Sequence, residues 1–210
     1  MEEYRILSGP AETEFVEKRS RFIGQVQPVQ TEEEARAFLE QVRKKHHDAR
    51  HNCWCYLLRG GTARYSDDGE PQGTAGRPML EVFQRESVTD LCCVVTRYFG
   101  GILLGTGGLL RAYTRAAGDA LQAAGISVQR VWAQLSVPCP YSLYDRIRSE
   151  TEKAGGVIAD TAWSADVVLT VLLPAESADA YCARLTELSA GKVSAAAQGT
   201  VLRAVPLRYQ

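Results

Sequence analysis

The chain has 210 residues, a formal net charge of −1 and an apolar fraction of 45%, with no stretch biased enough for disorder. Through Gln134 it carries 17 acidic and 17 basic residues, and after it 8 and 7, which excludes the general basic field of a non-specific nucleic-acid binder but not a local patch. Nothing approaches the ~18 uninterrupted apolar residues of a membrane span. Met1-Glu2-Glu3-Tyr4-Arg5 also lacks the basic region and apolar core of a secretory signal, so a cytoplasmic protein with no membrane partner is expected.

In chain order, Phe15–Val29 is extended, with the Lys18-Arg19-Ser20-Arg21 cluster and Gly24 dividing it into two short strands. Thr31 followed by Glu34 has the form of a capping box. Ala35, Phe38, Leu39 and Val42 continue at helical spacing, so a helix runs to about Lys45. Asn52–Arg59 is a strand and Gly60–Gly76 a long glycine-rich loop, of the length that is usually functional. A short helix over Arg77–Arg85, a buried strand over Leu91–Tyr98 and a helix ending at Gly125 complete an α/β domain. The long helix has Leu109, Tyr113, Ala116, Ala120 and Ala124 on one face, and Arg111, Arg115, Gly118 and Gln122 on the other.

The remainder reads as strand Val131–Val137, helix Tyr141–Ala154 and a hairpin of Val157–Trp163 with Asp166–Leu173 around Ser164 and Ala165. Helix Ala175–Ser189 and a strand in Ser194–Pro206 follow. That β-α-β-β-α-β order is ferredoxin-like. The expected fold class is α+β in two domains, residues 1–128 and 129–210. The six cysteines, none at C-x2-C spacing, read as small buried hydrophobes.

Three stretches can carry chemistry. In Arg97–Arg111, Gly100, Gly101, Gly105, Gly107 and Gly108 lie between a buried strand and a helix. Glycines let amides approach a ligand, and a helix start offers unpaired donors with a positive dipole. No Gly-Lys-Ser/Thr follows, and Leu110 stands at the third glycine position of a dinucleotide fingerprint, so no cofactor is expected. The run forms either an anion or RNA-phosphate site, with Arg97, Tyr98 and Arg111, or a glycine turn tied by structural salt bridges. Asp67, Asp68 and Glu70 share one loop and could bind Mg²⁺, act as acid and base, or hold the glycine loop in shape. Thr74 is placed to cap the next helix. His47 and His51 have the outline of H-E-x-x-H with Asp48 for Glu, but a strand beginning by Asn52 leaves no helix to join them. They read as hydrogen-bonding residues beside the acidic loop, and no metal is expected.

Taken together, His47, Ala49 and His51, Ser66-Asp-Asp-Gly-Glu-Pro71, Gly73-Thr-Ala-Gly76, Arg97-Tyr-Phe-Gly-Gly101, Leu104-Gly-Thr-Gly-Gly-Leu109 and Arg111-Ala-Tyr113 resemble the signature of the IMPACT/YigZ family across residues 15–125. The resemblance implies an N-terminal domain similar to the second domain of ribosomal protein S5. It also implies a ferredoxin-like C-terminal domain similar to elongation factor G domains III and V. It implies translation regulation, with RNA, the ribosome or a protein of the translation machinery as partner. Eukaryotic IMPACT restrains the starvation-sensing kinase of translation initiation through an RWD domain that has no counterpart in these residues, so that role is not expected. Three readings stay open: an RNA- or ribosome-binding module, a phosphate- or nucleotide-binding enzyme using Asp67–Glu70, and a protein-interaction scaffold. Nothing in the motifs fixes a reaction.

Overall fold

A computed structural model describes residues 3–164 and 166–207. The chain divides into two compact units. One runs from Tyr4 to Val128 and is rejoined by the chain from Ala204; the other comprises Gln129–Arg203.

In the first unit, β1 (Tyr4–Leu7), β2 (Ala11–Glu17) and β3 (Ser20–Pro28) precede helix α1 (Glu32–Lys45). Lys18 and Arg19, both at positive φ, make the tight turn between β2 and β3. Thr31 caps α1 by accepting from the Glu34 amide. Strands β4 (His51–Leu57) and β5 (Ala63–Ser66), helix α2 (Gly76–Arg85), strand β6 (Leu91–Tyr98) and helix α3 (Thr106–Ala124) follow. The expected loop over 60–76 therefore contains a strand. Its four residues fall below the length at which alternation is readable, and pairing Leu57↔Ala63 through Trp54↔Ser66 defines it.

The sheet order is β2-β3-β6-β4-β5, with every neighbouring pair antiparallel. Central β6 is buried from Leu91 to Arg97, so its run is continuously apolar until Thr96. Strand alternation sends Cys93 and Val95 to one face, against Met79 and Phe83 of α2 and Tyr113 and Ala116 of α3. Cys92 and Val94 point to the other, against Ala35, Leu39 and Val42 of α1. Helix α3 lies very close on β3: a Cβ on Gly24 would stand 2.5 Å from the Ala116 carbonyl oxygen.

The second unit contains most of β7 (Ile126–Cys139), then α4 (Tyr144–Lys153), β8 (Val157–Trp163), β9 (Val167–Pro174), α5 (Ala178–Leu188) and most of β10 (Ala196–Pro206). Both helices start one 3₁₀ turn later than their spacing suggests, after Tyr141–Leu143 and Ala175–Ser177. Strand β7 begins earlier than expected and passes through Pro138, which sits opposite Val168. In this unit's sheet the strand neighbours are β10-β7-β9-β8. In β9, Val167, Leu169, Val171 and Leu173 are buried beneath Ile147 of α4 and Tyr181 and Leu185 of α5. Of the expected hairpin turn, Ala165 lies outside the described residues. All six cysteines are free, five of them buried.

Candidate functional site

The glycine-rich run leaves β6 at Tyr98 and enters α3 at Gly105, and its two ends lie in different surroundings. Alternation along β6 puts Arg97 on the α3 face. Its guanidinium donates from Nη1 to Glu70 Oε1 at 2.7 Å, both side chains being almost wholly buried at 6% and 3% exposure. Tyr113 of α3 donates its hydroxyl to the same oxygen at 2.8 Å, and burial holds that phenol protonated by raising its pKa. The rings of Phe22 and Phe99 lie 5.6 and 5.5 Å from the guanidinium carbon. Ser20 Oγ accepts from Arg97 Nη2 and from the Gly100 amide. Gly100 has no room for a side chain, because a Cβ there would meet the Arg19 carbonyl at 2.0 Å.

Tyr98 faces the α1 side, where its hydroxyl donates to Asp48 Oδ1 at 2.8 Å. That proton being committed, His46 Nδ1 donates to the Tyr98 oxygen at 3.1 Å, and His46 Nε2 is buried without a partner. Burial, aided by Lys45, lowers the His46 pKa, so this imidazole is kept neutral.

Arg111 does not join Arg97. It is exposed on the first turns of α3 and lines a cavity of about 240 Å³ with Phe15, Glu17, Lys18, Gly108 and Arg115. A second cavity of about 360 Å³ lies between Arg97, Glu70 and the start of α3, with Arg50 and His51 also lining it. Leu104 lines both cavities. Gly105 and Thr106 bring the N-terminus of α3 to the second, while Gly101 and Gly107 are exposed.

Of the two readings of the run, Arg97 follows that of a structural salt bridge. Arg97 is an interior cation already neutralised by Glu70, because the period of two along β6 directs it inward. Asp67 also works internally: Oδ1 accepts the Ala75 and Gly76 amides and Oδ2 the Gly73 amide, so Asp67 caps α2. Thr74, expected as that cap, instead donates its hydroxyl to the Pro71 carbonyl. Asp68 accepts from the Asn52 amide and from Arg43, and its carbonyl accepts the His51 Nδ1 proton at 2.8 Å. The acidic loop is a clasp: its carboxylates accept from the Asn52, Gly73, Ala75 and Gly76 amides and from Arg43, Arg97 and Tyr113. His47 is exposed in the turn after α1, and His51 opens β4, so the two share no helix face. Sequence reasoning missed Ser20, His46, Arg50 and Tyr113. Only Tyr113 left a signal, its place in the apolar stripe of α3.

The profile of the Impact N-terminal domain matches residues 18–121, which contain Arg97, Arg111 and the Asp67–Glu70 turn, and a domain of unknown function (DUF1949) matches residues 137–192. The chain is 35% identical over 191 residues to the IMPACT family member YvyE of Bacillus subtilis, covering 90% of this chain and 88% of that protein. It is 36% identical over 197 residues to the IMPACT family member YigZ of Escherichia coli, covering 92% and 97%. A solved structure described as the crystal structure of an hypothetical protein aligns with a TM-score of 0.60 at 35% identity, over 95% of this chain and 98% of the other. The chain belongs to the IMPACT family. No helix among the described residues is long and apolar enough to cross a membrane.

Proposed function

We propose that the protein is a cytoplasmic, translation-linked binding module that holds RNA, free or on the ribosome, along the surface on either side of Leu104. The observation that carries this reading is the cavity beside α3, where Lys18, Arg111 and Arg115 meet a single carboxylate, Glu17. Lys18 and Arg111 form no ion pair among the described residues, whereas Arg97 and Arg115 are matched by Glu70 and Asp119. Unmatched cations beside the open N-terminus of α3 suit the phosphates of a single strand, and half-exposed Phe99 offers a ring on which a base can stack. The β-α-β-β-α-β order and β10-β7-β9-β8 sheet support a ferredoxin-like second domain. The likeness of the two domains to ribosomal protein S5 and elongation factor G rests on the family resemblance.

The test is binding of a single-stranded RNA, and of ribosomes, between ~50 and ~200 mM salt. Affinity should fall steeply with salt and fall further in Arg111→Ala and Lys18→Ala. Affinity indifferent to salt and to both substitutions would overturn the proposal.

A second reading, docking of a protein of the translation machinery, is favoured by the apolar tip of the loop. Leu103 is 83% exposed, and Phe99, Ile102 and Leu110 are also exposed. Leu103→Asp separates the two: it should abolish protein docking while leaving phosphate binding at Lys18 and Arg111 intact.

A further inference from the structure

The opposite face of the first unit's sheet carries a cavity apart from the loop. Five strands ~4.8 Å apart make a face about twice as wide as one helix of ~10 Å. On the α2/α3 side two helices cover it, but on the other side α1 stands alone. Uncovered sheet therefore remains beside α1 toward β5, the edge strand. The residues there are not the small apolar ones that normally finish a core. β4 alternation brings Trp54 and Tyr56 to this face, their rings stacked at 5.6 Å and parallel to within 6°. Tyr56 is buried and backs the half-buried Trp54 indole, and both line a cavity of about 390 Å³ that reaches Leu39 of α1.

The charges around the indole narrow the chemistry of a ligand. Arg36 of α1 and Arg64 of β5 line the same cavity, and both are exposed. Arg64 lies opposite Tyr56 in the strand register and forms no ion pair with a carboxylate among the described residues. Glu32 provides the one acid of the cavity; its Oε2 accepts the Tyr56 hydroxyl at 2.7 Å and lies 3.6 Å from Arg36. A cationic ligand would face two guanidinium groups. A purely apolar one would leave Arg64 uncompensated beside it. A planar ring bearing an anion fits: the ring stacks on Trp54, its N–H edge donates to the Glu32 carboxylate, and its phosphate meets Arg64 and Arg36.

We propose that the cavity lined by Trp54, Tyr56, Glu32, Arg36 and Arg64 is a nucleotide-binding site, taking a nucleobase on the Trp54 indole and a phosphate on the two arginines. The same chemistry is offered by a free nucleoside monophosphate and by one residue of an RNA strand. Titration of the ¹⁵N-labelled protein with GMP, guanosine, inorganic phosphate and a short single-stranded RNA tests the site and distinguishes the sources. The chain has three tryptophans, the others being Trp132 and Trp163, so each indole N–H is a separate reporter. GMP should shift the Trp54 indole signal saturably, guanosine should bind at least 5-fold more weakly, and phosphate alone should leave that signal unmoved. Read on the backbone amide signals of β4 and β5, Trp54→Ala should weaken GMP at least 10-fold and Trp54→Phe should restore most of the loss, which separates stacking from misfolding. Arg64→Ala, on an exposed strand edge, should bring GMP down to the guanosine level. An RNA shift that exceeds GMP at equal nucleotide concentration assigns the ligand to a strand, and the reverse order assigns it to a free nucleotide. The proposal fails if neither GMP nor RNA moves the Trp54 signal, or if binding survives both Trp54→Ala and Arg64→Ala unchanged. Because Lys18 and Arg111 are not involved, Arg111→Ala should leave GMP binding intact, so failure here and failure of RNA binding at the loop are distinguishable.

Discussion

Arg97 and Arg111 bracket one glycine-rich run, yet the first is 5% exposed and shares Glu70 with Tyr113, whereas the second stands in solvent with no ion pair among the described residues. The same side-chain type thus does two jobs. At the strand end the guanidinium belongs to the interior and fixes where the run begins. At the helix end it is available to a ligand. Positive charge in a glycine-rich loop is evidence for anion binding only where no carboxylate has already neutralised it, and the partner here comes from a loop 27 residues away in sequence.

The largest effect is expected at the buried end. Glu70→Ala leaves the Arg97 charge desolvated and unpaired, and should lower unfolding free energy by about 3–5 kcal/mol in urea titration at neutral pH. The double variant Glu70→Leu with Arg97→Met should recover much of that loss, because it buries no unpaired charge. A loss under ~1 kcal/mol for Glu70→Ala would break the contrast between the two arginines.

Asp67→Ala and Gly100→Ala come next, at about 1–3 kcal/mol each. The first strands three amides at the start of α2, and the second drives a methyl into the β2–β3 turn at Arg19. If Gly100→Ala melted with the wild type, the close approach would not be what the glycine is for.

A smaller and pH-dependent effect belongs to His46. Its folded pKa lies below the ordinary histidine value of ~6.5, so below that pH the unfolded chain binds a proton that the native state refuses. The contribution of His46 to stability should therefore be constant above neutrality and fall as pH drops below ~6.5. The slope should be shallower in His46→Gln. An unchanged slope in that variant would show that the His46–Tyr98–Asp48 chain is not the titrating element.

The smallest stability change is expected at the exposed end. Arg111→Ala should alter unfolding free energy by less than ~0.5 kcal/mol. It should also weaken RNA binding and make the salt slope shallower by about 0.7 for each phosphate no longer neutralised. Destabilisation comparable to that of Glu70→Ala would place Arg111 in the frame rather than at a ligand.

What the sequence determined by itself is local. The apolar run of Leu91–Tyr98, the Thr31–Glu34 cap, the helical stripe through Tyr113 and the β-α-β-β-α-β order are properties of neighbouring residues, legible without knowing what packs against them. The family, too, was legible, from short motifs in a fixed order. What only the tertiary structure decided is which partner each polar group takes. Asp67, Asp68 and Glu70 are three carboxylates in one turn, but the first caps a helix, the second ties β4 to α1 and the third neutralises Arg97. Strand β5 was hidden for the same reason, since four residues declare themselves a strand only by pairing with β4. The cavity beside α1 likewise arises from a count made in space, one helix against five strands. Burial and pairing are long-range, and a carboxylate or an arginine is a structural element or a binding group according to what lies within ~3 Å of it.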